Sequence, residues 1–260
     1  MTTGLPIETA GINTELIDLE DSCSIPSVPN YPNALEGATG VFINESVILC
    51  GGGNASVQVA VNECYKLSKD GITFNSFTSM QDKRLYFASS IINDELIWAT
   101  GGLGGNSGFS LGLISNEFIN PQDATTVSSG TSMPLGIYGH QITTLNSSTS
   151  ILTGGGYSTD PFSKKTYYFD HNTDTWNSGP DMTQGRRWHA TGIIKDSVTL
   201  TEHIVVAGGC FINPLDSVEI MFNGDNFWTA GNIDWNMQLK LLINIEFVSP
   251  FCLIISAFDE

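Results

Sequence analysis

The chain has 260 residues, of which 41% are apolar and 14% are charged, and its formal charge at pH 7 is −17. So few cations argue against nucleic acid and anionic membrane surfaces as partners, because phosphate contacts need Lys and Arg. The sequence predicts no membrane insertion, since Lys240, Glu246 and Pro250 interrupt the most apolar segment, residues 240–258.

Glycine pairs mark a repeat along the chain. Each pair follows a short apolar run, and successive pairs begin 50, 53 and 54 residues apart. The pairs are Gly51-Gly52, Gly101-Gly102, Gly154-Gly155 and Gly208-Gly209. A period of about 50 residues with four short strands per unit is typical of a β-propeller, in which each unit forms one blade. The sequence therefore predicts an all-β fold.

Each full unit contains four short runs rich in β-branched and aromatic residues, which predicts antiparallel strands joined by tight turns. The third unit is the clearest, with Tyr167 and Tyr168 on its third strand and Trp176 on its fourth. In the first unit Phe74 takes the place of that Trp, and residues 116–133 of the second are polar and predicted to be irregular. The units span about 38–80, 84–133, 137–182 and 187–230.

The two ends of the chain complement each other. Residues 235–260 hold two apolar runs that match the inner strands of a fifth unit, and residues 1–30 match outer strands. Pairing them would close the ring and remove exposed sheet edges. We therefore expect one propeller over residues 1–260, with about five blades and the last one composite. The alternative is part of a six- or seven-bladed propeller.

The combination of a strand ending in Gly-Gly, a Tyr-bearing strand and a Trp resembles the kelch repeat. Gly154-Gly155, Tyr167-Tyr168 and Trp176 carry the resemblance best. Kelch domains are β-propellers similar to the central domain of galactose oxidase. The resemblance implies a non-enzymatic module for protein–protein interaction. It also keeps open a glycan-binding or glycan-active propeller, because some members of the wider propeller group are carbohydrate-active enzymes.

Candidate binding residues precede the predicted first strands, which line the central channel of a propeller. They form the triplets Arg84-Leu85-Tyr86, Tyr138-Gly139-His140 and Arg187-Trp188-His189. One interpretation is a ring of donors at the channel mouth for a carboxylate, an acidic peptide or a sugar, built from Arg84, Tyr86, Tyr138, His140, Arg187 and His189. The other is that Arg and His satisfy backbone groups between blades, as a property of the repeat.

No pattern in the sequence predicts a catalytic residue, a metal site or a cofactor. The four His residues have no tight ligand spacing, and no Cys-x-x-Cys pair occurs. Residues 170–174 alternate oxygen-bearing side chains like the start of a calcium loop, but Thr175 stands where that loop needs Gly. This run is interpreted as a polar hairpin turn.

Five cysteines, at 23, 50, 64, 210 and 252, leave at least one thiol unpaired within a monomer. Cys50 ends a predicted second strand, and Cys64 lies on its predicted neighbour. They could form a disulfide in an oxidising compartment, or stay as two buried thiols. The opening residues carry no signal-peptide pattern, which leaves a cytoplasmic and a secreted location both open.

Loops on a rigid scaffold are the usual place for recognition. We therefore expect an unidentified protein partner to contact the loops that join second to third strands, at about 54–61, 103–113 and 158–164. A glycan is the alternative partner.

Overall fold

The computed structural model describes residues 36–54, 59–69, 71, 73–104, 112–128, 131–195, 199–222, 225–231 and 245–246, with residues 29 and 32. All regular elements in these ranges are β-strands, and none is a helix that could cross a membrane.

Four antiparallel sheets follow one another along the chain, each with its strands paired in sequence order. Blade 1 contains β1 (Thr39–Ile43), β2 (Ser46–Cys50), β5 (Glu63–Leu67) and β6 (Phe74–Ser79); blade 2 contains β8 (Ala88–Ile92), β9 (Leu96–Thr100), β11 (Asn116–Asn120) and β12 (Thr125–Ser128). Blade 3 contains β13 (Gln141–Asn146), β14 (Thr149–Thr153), β15 (Thr166–Asp170) and β16 (Thr175–Ser178); blade 4 contains β17 (Ala190–Lys195), β18 (Glu202–Ala207), β19 (Val218–Met221) and β20 (Thr229–Gly231). The first strands contact one another from blade to blade, which is the arrangement of a propeller around its axis.

Two pairs of short strands lie beside the four-stranded sheets in the described residues. β3 (Gly53–Asn54) pairs with β4 (Val59–Ala60), and β7 (Arg84–Leu85) pairs with β10 (Leu103–Gly104). β21 (Ile245–Glu246) pairs with β1 and adds a strand to blade 1. The remaining residues of the expected composite blade lie outside the described residues, so the closure of the ring and the blade number stay predictions.

The first three glycine pairs each link their blade to the next one, through the N–H groups of Gly52, Gly102 and Gly155. Gly154 and Gly155 both have positive φ, at 61° and 94°, and the Gly155 N–H donates to the Arg186 carbonyl at 2.8 Å. A Cβ on Gly154 would lie 2.4 Å from that same carbonyl oxygen. The pair is therefore required both by its backbone conformation and by the close approach of the following blade.

The outer half of blade 2 is regular, in contrast to the irregular segment that its polar sequence predicts. β11 and β12 pair over four residue positions, from Glu117 with Ser128 to Asn120 with Thr125. Tertiary packing overrides local composition here, because Ile119 is fully buried and Phe118 stacks on Trp98, with their ring centroids 6.0 Å apart.

Aromatic side chains fill the space between blades 2 and 3. Trp98 of β9 packs against Phe169 and Trp176 of blade 3, at centroid distances of 4.7 and 5.7 Å. Trp176 lies opposite Phe169 in its sheet, and Phe74 lies opposite Leu67 at the same position in blade 1. Burial of these large rings is the main source of stability between twisted sheets.

Cys50 and Cys64 lie directly opposite each other in the β2–β5 pairing, and a disulfide joins them. Their Cα atoms are 4.1 Å apart, and both residues belong to a core cluster shared by blades 1 and 2. Cys210 carries a free thiol, while Cys23 and Cys252 lie outside the described residues.

Candidate binding site at the channel mouth

Strand pairing fixes which of the residues before each first strand are equivalent. Ala88, Gln141 and Ala190 are equivalent, because each pairs with the last residue of its second strand. Counting back gives the sets Phe87, His140 and His189; Tyr86, Gly139 and Trp188; Leu85, Tyr138 and Arg187; and Arg84, Ile137 and Arg186. The triplet alignment drawn from the sequence is therefore shifted by one residue in blade 2, and the partner of Arg84 in the repeat is Arg186.

Arg84 lies in the interior, with 0% of its side chain exposed, and so does not reach the channel mouth. Its guanidinium donates to the Gly101 carbonyl at 2.7 Å and forms an ion pair with Glu117 at 2.7 Å. The Glu117 carboxylate also accepts the backbone N–H groups of Gln81 and Asp82. Arg84 therefore satisfies backbone groups, as in the second interpretation, but those groups lie within its own blade and not between two blades.

Arg186, which the sequence pattern did not single out, repeats this arrangement in blade 4. It donates to the Gly208 carbonyl at 2.8 Å and pairs with Glu219 at 2.8 Å, again with its side chain fully buried. Burial by itself would raise the pKa of Glu219. Hydrogen bonds from Thr183, Arg186 and Gln184 outweigh it and hold that pKa below its ordinary value. The sequence does contain a signal for Arg186, because an Arg stands four residues before the first strand in two of the units.

His140 and His189 are also interior residues. They are 0% and 2% exposed, and their Nε2 atoms lie 2.9 and 2.8 Å from the hydroxyls of Thr100 and Thr153. Burial lowers the pKa of each to about 3, with smaller contributions from Arg84 at His140 and from Arg186 at His189. Both imidazoles are therefore neutral at pH 7 and face away from any ligand at the surface.

The Thr100 hydroxyl donates to the Ala88 carbonyl at 3.3 Å, so His140 Nε2 is the donor in its contact with Thr100. Nδ1 of His140 and Nδ1 of His189 are buried and have no hydrogen-bond partner in the described structure. A proton added there would gain no acceptor, which is a second reason for the low pKa of both residues.

The other three candidates, Tyr86, Tyr138 and Arg187, do come together at the channel mouth. Arg187 donates to the Tyr138 hydroxyl at 3.0 Å. Its guanidinium carbon lies 4.0 Å from the ring centroid of Trp188 and 4.7 Å from that of Phe162. All five residues are half-buried.

Tyr86 extends this group toward blade 1. Its ring centroid lies 5.5 Å from that of Trp188, and its hydroxyl donates to the Glu36 carboxylate at 3.0 Å. We refer to Glu36, Tyr86, Tyr138, Phe162, Arg187 and Trp188 as the mouth patch. Phe162 lies in one of the loops expected to contact a partner, and Trp188 in one of the triplets. No sequence signal pointed to Glu36, which precedes the first unit.

Arg187 carries the positive charge of the mouth patch. It forms no ion pair within the described residues, and its Nε is buried without a hydrogen-bond partner. The aromatic rings around it hold the guanidinium in place through cation–π contacts. The patch therefore presents a preorganised cation in a protein whose formal charge is −17.

An apolar rim continues the patch along blade 4. Phe211 packs on Phe162 with ring centroids 5.1 Å apart and is 37% exposed, while its neighbour Ile212 is 74% exposed. Both lie in the loop that joins β18 to β19. Among the expected contact loops, 158–164 is described throughout, whereas 55–58 and 105–111 lie outside the described residues.

Comparisons with known proteins agree with this fold. The chain is 31% identical to kelch-like protein 36 of Rattus norvegicus and of Mus musculus over 148 residues, which is 56% of this chain and 22% of each relative. It is 31% identical to the Bos taurus protein over 121 residues, which is 46% of this chain and 18% of that relative. The chain thus spans about a fifth of the length of the curated relatives it matches. No family model matches it.

Among solved structures, YjhT superimposes with a TM-score of 0.63 at 18% identity, covering 79% of this chain and 67% of YjhT. At that identity the likeness concerns the fold alone. The glycine pairs, the repeated blades and the Trp position define a β-propeller of the kelch type. In sequence the chain is similar to kelch-like proteins over about half of its length.

Proposed function

We propose that this propeller is a non-enzymatic binding module that captures a protein partner through the mouth patch. The observation that supports the proposal is Arg187, whose guanidinium forms no ion pair with a described residue and lies against the rings of Trp188 and Phe162. Arg, Trp and Tyr dominate the energy of protein interfaces, because they combine large apolar area with hydrogen-bond donors. Phe211 and Ile212 extend the apolar contact area beside the cation.

A partner suited to this surface carries an acidic group next to apolar side chains. The guanidinium would pair with the acidic group, and the aromatic rings would bury the apolar ones. The non-enzymatic part of the proposal is supported by the position of His140 and His189. Both are interior and neutral at pH 7, so neither supplies a general base at the mouth patch.

The experiment is partner capture from an extract of the native source, with the wild type, Arg187→Ala and Arg187→Lys compared in parallel. Capture that falls at least about tenfold in Arg187→Ala supports the proposal. Lys69→Ala is the control, because Lys69 is 81% exposed and lies outside the patch. Equal capture by the wild type and Arg187→Ala would refute the assignment of the patch.

A glycan is the second candidate ligand, because half-exposed aromatic rings beside an Arg can stack on a sugar and donate to its hydroxyls. A glycan array with the same variants distinguishes the two. A sugar signal that disappears in Arg187→Ala favours glycan binding, and retained protein capture without a sugar signal favours the protein-binding module.

A further inference from the structure

A cavity of about 280 Å³ opens between blades 3 and 4 at the face opposite the mouth patch. It lies beside the turns that follow β13 and β19, whereas the mouth patch lies where the first strands begin. Its walls are formed by Leu145, Asn146 and Tyr168 of blade 3 and by Ile193, Glu202, His203, Ile204, Met221, Phe222 and Asp225 of blade 4.

The cavity coincides with a difference between equivalent residues at two successive blade interfaces. Between blades 2 and 3, the corresponding space is filled by Trp98, which packs against Phe169 and Phe118. Strand pairing makes Ile151 the equivalent of Trp98, and Met221 the equivalent of Phe169. Two smaller side chains therefore replace two aromatic rings at the next interface. Met221 lines the cavity, while Ile151 is fully buried in the core beside it.

The lining has a defined chemical character. Tyr168 and Phe222 contribute aromatic rings, and Leu145, Ile193, Ile204 and Met221 contribute aliphatic surface. Glu202 and Asp225 contribute two carboxylates, and neither forms an ion pair or a side-chain hydrogen bond with any described residue. Among the described residues the lining contains no Lys or Arg, and Lys195, opposite Glu202 in the β17–β18 pairing, makes no ion pair with it.

We propose that this cavity binds a basic side chain, lysine or arginine, of a protein partner. The volume is below the roughly 300 Å³ at which pockets begin to hold drug-sized ligands, so it suits one long side chain. The methylene stem of such a side chain would lie along Ile204 and Met221, while its charged end would reach Glu202 and Asp225. Tyr168 and Phe222 add cation–π attraction. This site is separate from the mouth patch and does not depend on its function.

The test is a titration of the isotope-labelled chain with N-acetyl-arginine amide, followed by NMR at the methyl groups of Ile193, Ile204 and Met221. The uncharged isostere N-acetyl-citrulline amide is the matched probe. A single side chain binds in the millimolar range, which such a titration detects. We expect saturable methyl shifts with the arginine probe, with an affinity about three- to tenfold above that of the citrulline probe.

Variants locate the binding. Glu202→Gln combined with Asp225→Asn should bring the arginine affinity down to that of citrulline, and Met221→Phe should block both probes by restoring the ring found in blade 3. Glu95→Gln is the control, because Glu95 occupies the position of Glu202 in blade 2. Equal affinity for the two probes, an unchanged affinity in the double variant, or no saturable shift would each overturn the proposal.

Discussion

Arg186 and Arg187 are adjacent in the chain and lie in opposite environments. Arg186 is fully buried and pairs with Glu219, whereas Arg187 is half-exposed and rests on the ring of Trp188. The first residue ties the segment before β17 to the interior of blade 4, and the second is partly exposed in the mouth patch. The same type of side chain therefore serves the fold at one position and the proposed binding site at the next.

The two arginines should differ sharply in their effect on stability. Arg186→Ala leaves the Glu219 carboxylate buried without its cation, and we expect the free energy of unfolding to fall by about 3–5 kcal/mol. Arg187→Ala removes only partly exposed cation–π contacts, with an expected loss below about 1 kcal/mol. Urea unfolding followed by circular dichroism measures both, and Arg84→Ala should match Arg186→Ala. Similar losses for the two neighbours would contradict this division of roles.

Stability should fall as the pH drops below 6.5, because of His140 and His189. In the folded state the pKa of each is lowered to about 3, against an ordinary value of 6.5, so the unfolded chain binds protons that the folded chain does not. The stability that the two neutral imidazoles contribute is fully present above pH 6.5 and is lost progressively as the pH falls toward 3. At pH 5 each of the two His residues should already lower the free energy of unfolding by about 2 kcal/mol.

His140→Phe tests this origin, because Phe87 is the equivalent residue in blade 2. The difference in unfolding free energy between pH 7 and pH 5 should shrink by about 2 kcal/mol in the single variant and by about 4 kcal/mol with His189→Phe added. This pH window lies above the titration of ordinary carboxylates. If both variants keep the wild-type pH dependence, other groups are responsible.

Gly139 should not tolerate a side chain. Its φ is +60°, and a Cβ there would lie 2.8 Å from Nε1 of Trp188. Gly71 offers a matched control, because its φ is +70° and a Cβ would meet nothing within 4 Å. We expect Gly71→Ala to lower the free energy of unfolding by about 1 kcal/mol, from backbone strain alone.

Gly139→Ala should lower the free energy of unfolding by at least about 1 kcal/mol more than Gly71→Ala does, because the Trp188 ring must also move. Its Trp fluorescence spectrum should change, and the change should be absent when Trp188 is already replaced by Phe. Equal losses in the two Ala variants would show that the ring adapts freely.

The Cys50–Cys64 disulfide closes a loop with a sequence separation of 14 residues. A disulfide that closes a loop of that length is expected to raise the free energy of unfolding by about 3 kcal/mol, mainly by restricting the unfolded chain. The intact mass should increase by two hydrogens on reduction, and the urea midpoint should fall with it. Cys210→Ser is the control and should leave the midpoint unchanged. A mass that reductant does not change would show that the purified protein holds two thiols instead.

The sequence by itself determined the fold class of this protein. The spacing of Gly51, Gly101, Gly154 and Gly208 predicted the repeat, because positive φ and close backbone approach leave Gly as the natural residue at those positions. Short runs rich in β-branched and aromatic residues predicted the strands, and their order raised the possibility that Cys50 and Cys64 form a disulfide. These inferences rest on local geometry, which the chain specifies over a few residues.

Only the tertiary structure decided which polar residues face a ligand. Arg84, His140, His189 and Arg187 all stand just before first strands. Arg84 is nevertheless buried within its own blade, and His140 and His189 are buried against the preceding one, whereas Arg187 stays partly exposed. The cavity beside Met221 likewise depends on side chains from two blades. Burial is set by contacts between residues about one repeat apart, and no local periodicity encodes which of those contacts form.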